Sequence, residues 1–254
     1  MDSTITRIKA CLNGSRRADE HPAVPIAVAE LAAAAADAVA AGAQALHLHP
    51  RGRGGIETLQ PAAVAAAVGA VRRACPGVPV GVSTGLWISA GDVGRRLATV
   101  AGWAELPAAT RPDFASVNVA EVGFGELAEV LQRAGIGVEV GVWSTADALA
   151  LADSGAAGWT RILVEIIGGT PETAIARADA VLARLDEIGV PGPRLLHGEE
   201  AACWPLVAHA GRLGLPTRVG LEDTLVGPNG EPVVDNADLV AQALGVWAAA
   251  ASPR

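Results

Sequence analysis

Two histidines one strand step apart, in Leu46-His47-Leu48-His49, are the residues of this chain best suited to chemistry. Alternate side chains of an extended segment share a face, so His47 and His49 project one way and Leu46 and Leu48 the other. Neutral imidazoles so placed can grip one divalent ion, zinc, iron or another late first-row metal, although two hydrogen-bonded core histidines would look the same in sequence. A metal site also wants a carboxylate, and Arg218-Val219-Gly220-Leu221-Glu222-Asp223 supplies one. Arg218 and Glu222 share strand parity, which puts both inside a closed sheet with Glu222 toward its rim. A buried guanidinium is expensive without a partner, and Asp223 in the following turn is available, whether as a structural ion pair or as part of a site. Two histidines plus Glu222 leave coordination positions open, as a catalytic metal requires.

Other motifs carry less. Gly81-Val82-Ser83-Thr84-Gly85 matches the nucleophile elbow of α/β hydrolases, but no Asp and His follow in the order those enzymes use. Its expected use is a polar loop whose Ser83 hydroxyl and backbone N–H groups, with Thr84 and Gly85, hold a substrate carboxylate or oxyanion. Ser116 and Asn118, matched in parity on the next strand segment, face the same cavity or serve as core hydrogen-bonders. Lys9 is the only lysine, and nothing around it in sequence signals the depressed pKa that a Schiff-base mechanism needs. Gly168-Gly169-Thr170-Pro171 reads as a turn before a helix, with anion binding at that helix N-terminus as the other use.

The elements that must position these residues alternate along the whole chain. Strand segments are expected at Ile5 to Leu12, Ala45 to His49, Val78 to Thr84, Asp113 to Val119, Ile136 to Val142, Arg161 to Ile167, Arg194 to His197 and Thr217 to Glu222. Helices fit Ala27 to Ala41, Pro61 to Cys75, Ala90 to Ala101, Phe124 to Ala134, Thr145 to Ser154, Pro171 to Ile188, Glu200 to Leu213 and Ala237 to Ala250. Pro61 and Pro171 suit first turns, while Gly42, Gly135, Gly155, Gly189 and Gly214 suit left-handed C-caps. The alanine surplus fits helices packed closely on a parallel sheet, and fits a codon bias equally well. Eight βα units without a linker predict an α/β fold, a single (β/α)8 barrel over residues 1–254, with catalysis at the C-terminal ends of the strands.

Composition narrows the function classes. With 51% hydrophobic and 18% charged residues in 254, the chain has material for a large core and is not disordered. Nineteen basic against 27 acidic residues give a net charge of −8, which opposes nucleic acid and anionic lipid as partners. Cys11, Cys75 and Cys203 are odd in number and widely spaced, implying neither a disulfide framework nor a thiolate metal site but a reducing compartment. Apolar stretches such as 62–71 fall short of a membrane span, and no basic then apolar leader opens the sequence, so a cytoplasmic location is expected.

Asn13-Gly14 with the loop 18–25, then His47-Leu48-His49-Pro50-Arg51, Ser83-Thr84-Gly85, Asn118 and Gly220-Leu221-Glu222-Asp223, occur in an order that resembles the β-keto acid cleavage enzymes. The similarity runs from about residue 5 to residue 245, and HLHxR with RxGxED is more specific than either part. The resemblance implies a (β/α)8 barrel, a homo-oligomer such as a dimer or tetramer, that binds Zn2+ or another divalent metal. It further implies acyl transfer from a β-keto acid to CoA at the expense of acetyl-CoA, releasing acetoacetate. By motif, His47, His49 and Glu222 would be the metal ligands, Asp223 with Arg218 the proton-abstracting pair, and Ser83 a holder of substrate or oxyanion. The zinc would act as a Lewis acid on the keto oxygen, Asp223 would take an α-proton, and the enolate would attack the thioester. Retro-Claisen cleavage by the released CoA thiolate would then yield acetoacetate and the new acyl-CoA.

Two residues depart from the family's best-known member, which acts on 3-keto-5-aminohexanoate. Its glutamates after strand one and at the end of strand five, suited to the substrate ammonium, correspond here to Arg16 and Gly141. That exchange implies a neutral or anionic side chain, such as that of 3-oxoadipate or 3-oxoglutarate, with Arg16 in the substrate site or else a surface loop charge. The chain also ends at Arg254 without the tail common among relatives, and segment 118–139 is short, which implies subunit contacts and CoA contacts that differ from the family's. Two other functions fit the same residues. One is a CoA-independent metal-dependent lyase or hydrolase, and the other a catalytically silent barrel that binds a metal or an acyl-CoA.

Overall fold

The computed structural model describes residues 5–252. Eight strands alternate with eight helices: β1 (Ile8–Cys11), α1 (Val28–Ala40), β2 (Ala45–Leu48), α2 (Pro61–Ala74), β3 (Val80–Ser83), α3 (Val93–Ala101), β4 (Phe114–Asn118) and α4 (Phe124–Arg133) make the first half. The second half comprises β5 (Gly137–Val142), α5 (Thr145–Asp153), β6 (Arg161–Ile166), α6 (Pro171–Glu187), β7 (Arg194–Gly198), α7 (Cys203–Leu213), β8 (Thr217–Val219) and α8 (Asn236–Ala251). All ladders are parallel, in the order β7-β6-β5-β4-β3-β2-β1-β8. The sheet curls into a (β/α)8 barrel whose last seam is sparse: Leu196 N–H donates to the Pro216 carbonyl (3.0 Å), and beyond the strand ends Glu200 N–H donates to the Asp223 carbonyl (2.7 Å).

Strand alternation sorts the core. Outward residues such as Ala10, Leu46, Leu48, Val80, Val138 and Val164 join the helices in one large apolar cluster, while Ile5, Ala45, Phe114, Leu163 and Leu195 form a small cluster of their own. Near that small cluster the barrel is closed by charge rather than grease. Glu139 of β5 takes the Lys9 ammonium on one oxygen and the Arg161 guanidinium on the other (2.8 Å), with the Arg161 guanidinium 4.8 Å from the Phe114 ring centre. These three ionic side chains are buried, and mutual pairing is what makes that burial tolerable.

The expected boundaries need four corrections. β8 stops at Val219 rather than Glu222, because Gly220 lies against β1 so tightly that a Cβ there would sit 1.8 Å from the Cys11 carbonyl oxygen. The chain turns at that contact, with Asp223 N–H donating to the Gly220 carbonyl (2.8 Å). β1 begins at Ile8, three residues later than expected. The helix expected from Ala90 is a short 3-10 turn, Leu86–Ser89, then α3 from Val93, separated by Ala90 in the left-handed region (φ 55°). Glu200–Ala202 is likewise a 3-10 turn ahead of α7. No helix among the described residues is long and apolar enough to cross a membrane.

Candidate active site and metal centre

His47 is the third residue of β2 and His49 follows its end, so the two imidazoles sit on one face with ring centres 5.2 Å apart. The turn after β8 brings Glu222 to them across β1, with its Oε1 3.7 Å from His49 Nε2 and its Oε2 3.8 Å from His47 Nε2. One ligand atom from each residue lies within 4.8 Å of the others, and Glu222 Oε2 is buried with no hydrogen-bond partner. Ligand atoms about 2.0–2.2 Å from a zinc-like ion stand roughly 3–4 Å from each other, so the trio fits such an ion.

Protonation tells the same story. Burial pushes the His47 imidazole down to about 3, keeping it neutral and able to ligate. Burial also opposes charge on His49, but the Glu222 and Glu57 carboxylates outweigh it and hold this ring up to about 9. Arg218 and the two histidines overcome burial at Glu222 and hold its carboxyl well below the usual range. A proton on His49 therefore stands where a cation would bind.

Glu57, just beyond the glycine-rich turn that follows β2, was not foreseen from sequence. Its Oε1 lies 2.5 Å from His49 Nδ1, which commits that nitrogen and leaves Nε2 for a ligand role. The same carboxylate accepts from Trp87 Nε1 (3.2 Å), and the half-exposed indole lies over the His49 ring, centres 6.3 Å apart. No periodic signal marks Glu57, because the intervening turn breaks the strand pattern.

These groups line a cavity of about 320 Å³ at the C-terminal ends of the strands. Ser83, Ser116, Asn118, Arg218, Glu222 and both histidines reach it, as anticipated. Thr84 does not: its hydroxyl donates to the Ser116 carbonyl (2.5 Å), a structural bond. Gly85 contributes contact of another kind, since a Cβ would meet the Trp87 ring at 2.2 Å. Gly141 is likewise set by packing, because a Cβ there would lie 2.4 Å from Asn118 Oδ1.

Arg218 is the hub of the opposite wall. Its guanidinium donates to Asp223 Oδ1 (2.6 and 3.0 Å), Glu222 Oε1 (3.0 Å) and Glu165 Oε1 (3.4 Å), and stands 3.6 Å from Glu199. Asp223 is fully buried behind it and off the cavity wall, with Oδ2 unbonded, and burial raises its carboxyl despite Arg218. Glu165 and Glu199 do line the cavity, beside Trp143, whose Nε1 donates to Glu165 (2.9 Å). Burial and the neighbouring Glu165 push Glu199 up to about 9, so Glu199 is largely protonated at neutral pH. Glu165 was missed in the sequence, although its parity with Arg161 and Leu163 on one face of β6 would have shown it. Glu199 lies past its strand and left no such signal.

Arg16 does not reach the cavity. Its guanidinium is spent on Glu200, on Glu20 (3.2 Å) and on the Leu221 carbonyl (3.2 Å), while Ser15 beside it faces the opening. Lys9 is buried on Glu139, away from any role as a free amine. Gly168 and Gly169 take positive φ in a turn that Arg177 closes by donating to the Gly168 carbonyl (2.7 Å).

A His-His-Glu cluster that could hold a metal ion and a carboxylate-loaded arginine thus sit together at the mouth of the barrel. The family is identified by comparison: residues 6–253 match the family of beta-keto acid cleavage enzymes, and the chain belongs to it. Curated protein sequences give no match. Among solved structures, apo ObcA superposes with a TM-score of 0.66 at 19% identity, over 87% of this chain and 61% of that one. ObcA in ternary complex with a C4-CoA adduct and oxalate gives 0.68 at 17%, over 87% and 62%. The 3-dehydroquinate dehydratase of Geobacillus kaustophilus gives 0.61 at 11%, over 97% and 91%. This chain thus spans about three fifths of the length of ObcA. At these identities the structural likeness concerns the fold.

Proposed function

We propose that the protein is a zinc-dependent acyltransferase that takes a β-keto acid and acetyl-CoA to acetoacetate and a new acyl-CoA. The observation that carries this reading is the buried His47, His49 and Glu222 trio, with an unsatisfied Glu222 oxygen, set in one cavity with Arg218. Those three residues would hold the ion, and a divalent metal there supplies Lewis acidity toward a keto oxygen. Family membership supports the substrate class.

The chain's own groups divide the remaining work. Arg218, fixed by three carboxylates, presents a donor to the substrate carboxylate at the cavity wall. The resemblance assigns the general base to Asp223; it lies buried behind Arg218, so its free Oδ2 takes an α-proton once the guanidinium turns aside toward the substrate carboxylate. Ser83, Ser116 and Asn118 offer hydroxyl and amide groups to the substrate's oxygens from the facing strands. No covalent enzyme intermediate is needed.

The side chain of the β-keto acid is neutral in this reading. Arg16, the residue that would have drawn an anion, is held elsewhere by Glu20 and Glu200. Glu165 faces Arg218 and Glu199 is largely protonated, so this wall carries no free charge for an ammonium or a second carboxylate. The test is a panel of β-keto acids with cationic, neutral and anionic tails, assayed with zinc and acetyl-CoA by mass spectrometry. New acyl-CoA from neutral tails is the expected product. Cleavage that proceeds without any acyl-CoA would overturn the transferase reading in favour of a metal-dependent lyase. Asp223→Asn is expected to lose turnover while keeping its metal; full loss in Glu199→Gln with activity in Asp223→Asn would move the base to the cavity wall.

A further inference from the structure

Glu222 and Asp223 lie in a turn, because β8 ends at Val219, so no strand ladder sets the direction of their side chains. The residues on either side of Glu222 each offer a backbone carbonyl, and each carbonyl has a donor from another loop. Arg16 Nε donates to the Leu221 carbonyl (3.2 Å), and Glu200 N–H donates to the Asp223 carbonyl (2.7 Å). The two donors belong to one ion pair, since the Arg16 guanidinium also meets the Glu200 carboxylate. A single pair, drawn from the loops after β1 and β7, thus grips the turn after β8 on both sides of Glu222.

The surroundings brace this grip. Glu200 takes φ 50°, in the left-handed region, a conformation that among the described non-glycine residues only Ala90 shares. A glutamate held there is strained, and the contacts around it must offset that strain. Gly14, two residues before Arg16, packs on Glu222 so closely that a Cβ would lie 2.5 Å from the Glu222 Cγ. Arg51, two residues past His49, donates to the carbonyls of Gly14 and Arg16 (3.0 Å to the latter). The loop after β1 is therefore tied to the segments that carry His49 and Glu222. Neither Arg16 nor Glu200 lines the cavity itself.

We infer that the Arg16–Glu200 pair is a positioning clamp, which sets the angle at which the turn presents Glu222 to a metal and Asp223 to Arg218. The inference rests on the metal-site reading above and gives this pair its part in it. The Glu200 side chain is 60% exposed, so the pair's share of global stability is small. Its effect is local. A carboxylate ligand that drifts from its place fits the ion less well, and a base that drifts meets its proton less often. Arg16 and Glu200 act through Glu222 and Asp223 and touch no substrate.

The experiment measures zinc affinity in competition with a chelating dye, and kcat and KM for the preferred β-keto acid, in wild type, Arg16→Met, Arg16→Lys and Glu200→Gly. Glycine suits a positive φ and keeps the N–H donor, so Glu200→Gly removes the carboxylate without adding strain. Arg16→Met and Glu200→Gly are each expected to lose about tenfold in zinc affinity and about tenfold or more in kcat, with circular dichroism unchanged. KM for the β-keto acid should move by less than about twofold, because the substrate is not contacted. Arg16→Lys, which keeps a cation for Glu200, is expected to recover part of both losses. Amides of residues 220–224 should exchange faster in Arg16→Met and Glu200→Gly, with or without zinc. Full zinc affinity and full kcat in both variants would overturn the clamp while leaving the metal site intact. A raised KM at unchanged kcat would also overturn it, by making the pair a substrate contact. A wild type that binds no zinc would instead remove the metal reading, and the clamp with it.

Discussion

At the scale of single residues, the division of labour between His49 and its neighbours has a measurable consequence. Glu57 fixes the tautomer and orientation of a ring that must present Nε2, and partners of this type typically contribute 10–100-fold to metal affinity. Glu57→Gln is therefore expected to weaken zinc binding by about tenfold or more in competition with a chelating dye, with the fold intact by circular dichroism. Equal affinity would reduce Glu57 to a surface contact of Trp87. His47 has no such orienting partner, its Nδ1 being buried and unbonded, so its position depends on packing alone. His47, His49 and Arg218 were legible because strand parity and residue chemistry coincide, whereas Glu222 was legible from residue type alone, since β8 ends at Val219 and a turn rather than parity brings it to the histidines. Glu57, Glu199 and Trp87 were not, because loops place them and no period runs through a loop.

At the scale of the strand, β5 carries an ion cluster that behaves as a structural plug. Lys9 and Arg161 overcome the upward push of burial and hold Glu139 at about 2, against an ordinary 4.5. A depressed carboxyl contributes stability that is complete above pH 4.5 and fades as pH falls toward 2, where the folded state takes up its proton. Replacing Glu139 by Gln leaves two buried cations facing one another without their carboxylate, a loss of about 3–5 kcal/mol. Urea unfolding at neutral pH is expected to show that loss. The same variant should have a flatter pH dependence of stability between pH 4.5 and 2 than wild type, and parallel curves would assign the acid sensitivity to other carboxylates. The eight-unit rhythm was legible, since β-branched runs and alanine-rich helices alternate with capping glycines. The end of β8 was not, because it depends on Gly220 meeting the Cys11 backbone across the sheet, a contact no local pattern encodes.

At the scale of the whole barrel, closure and chemistry meet at one seam. β8 has three residues and, among the described residues, pairs in register with β1; across the seam toward β7 lie two backbone bonds, Leu196 N–H to the Pro216 carbonyl and Glu200 N–H to the Asp223 carbonyl, and Arg218 reaching Glu165 and Glu199. The candidate metal-binding trio spans the same region, with His47 on β2, His49 just past its end and Glu222 just past β8, and β1 between them. An ion held by all three therefore ties the last strand to the second across the first. Binding to the folded state alone stabilises by about 2.7 kcal/mol at a hundredfold excess over Kd, and a chain of this size gains about 2–4 °C per kcal/mol. Zinc is accordingly expected to raise Tm by about 5–10 °C, and EDTA to reverse it. The response belongs to the seam, so His47→Ala should abolish the zinc shift, whereas Arg17→Glu, at an exposed residue paired with Asp19, should preserve it. Hydrogen exchange locates the effect: amides of β8 and of the turn through Asp223 are expected to slow most on zinc addition. Uniform slowing across all eight strands would show that the ion stabilises the barrel without acting on its closure.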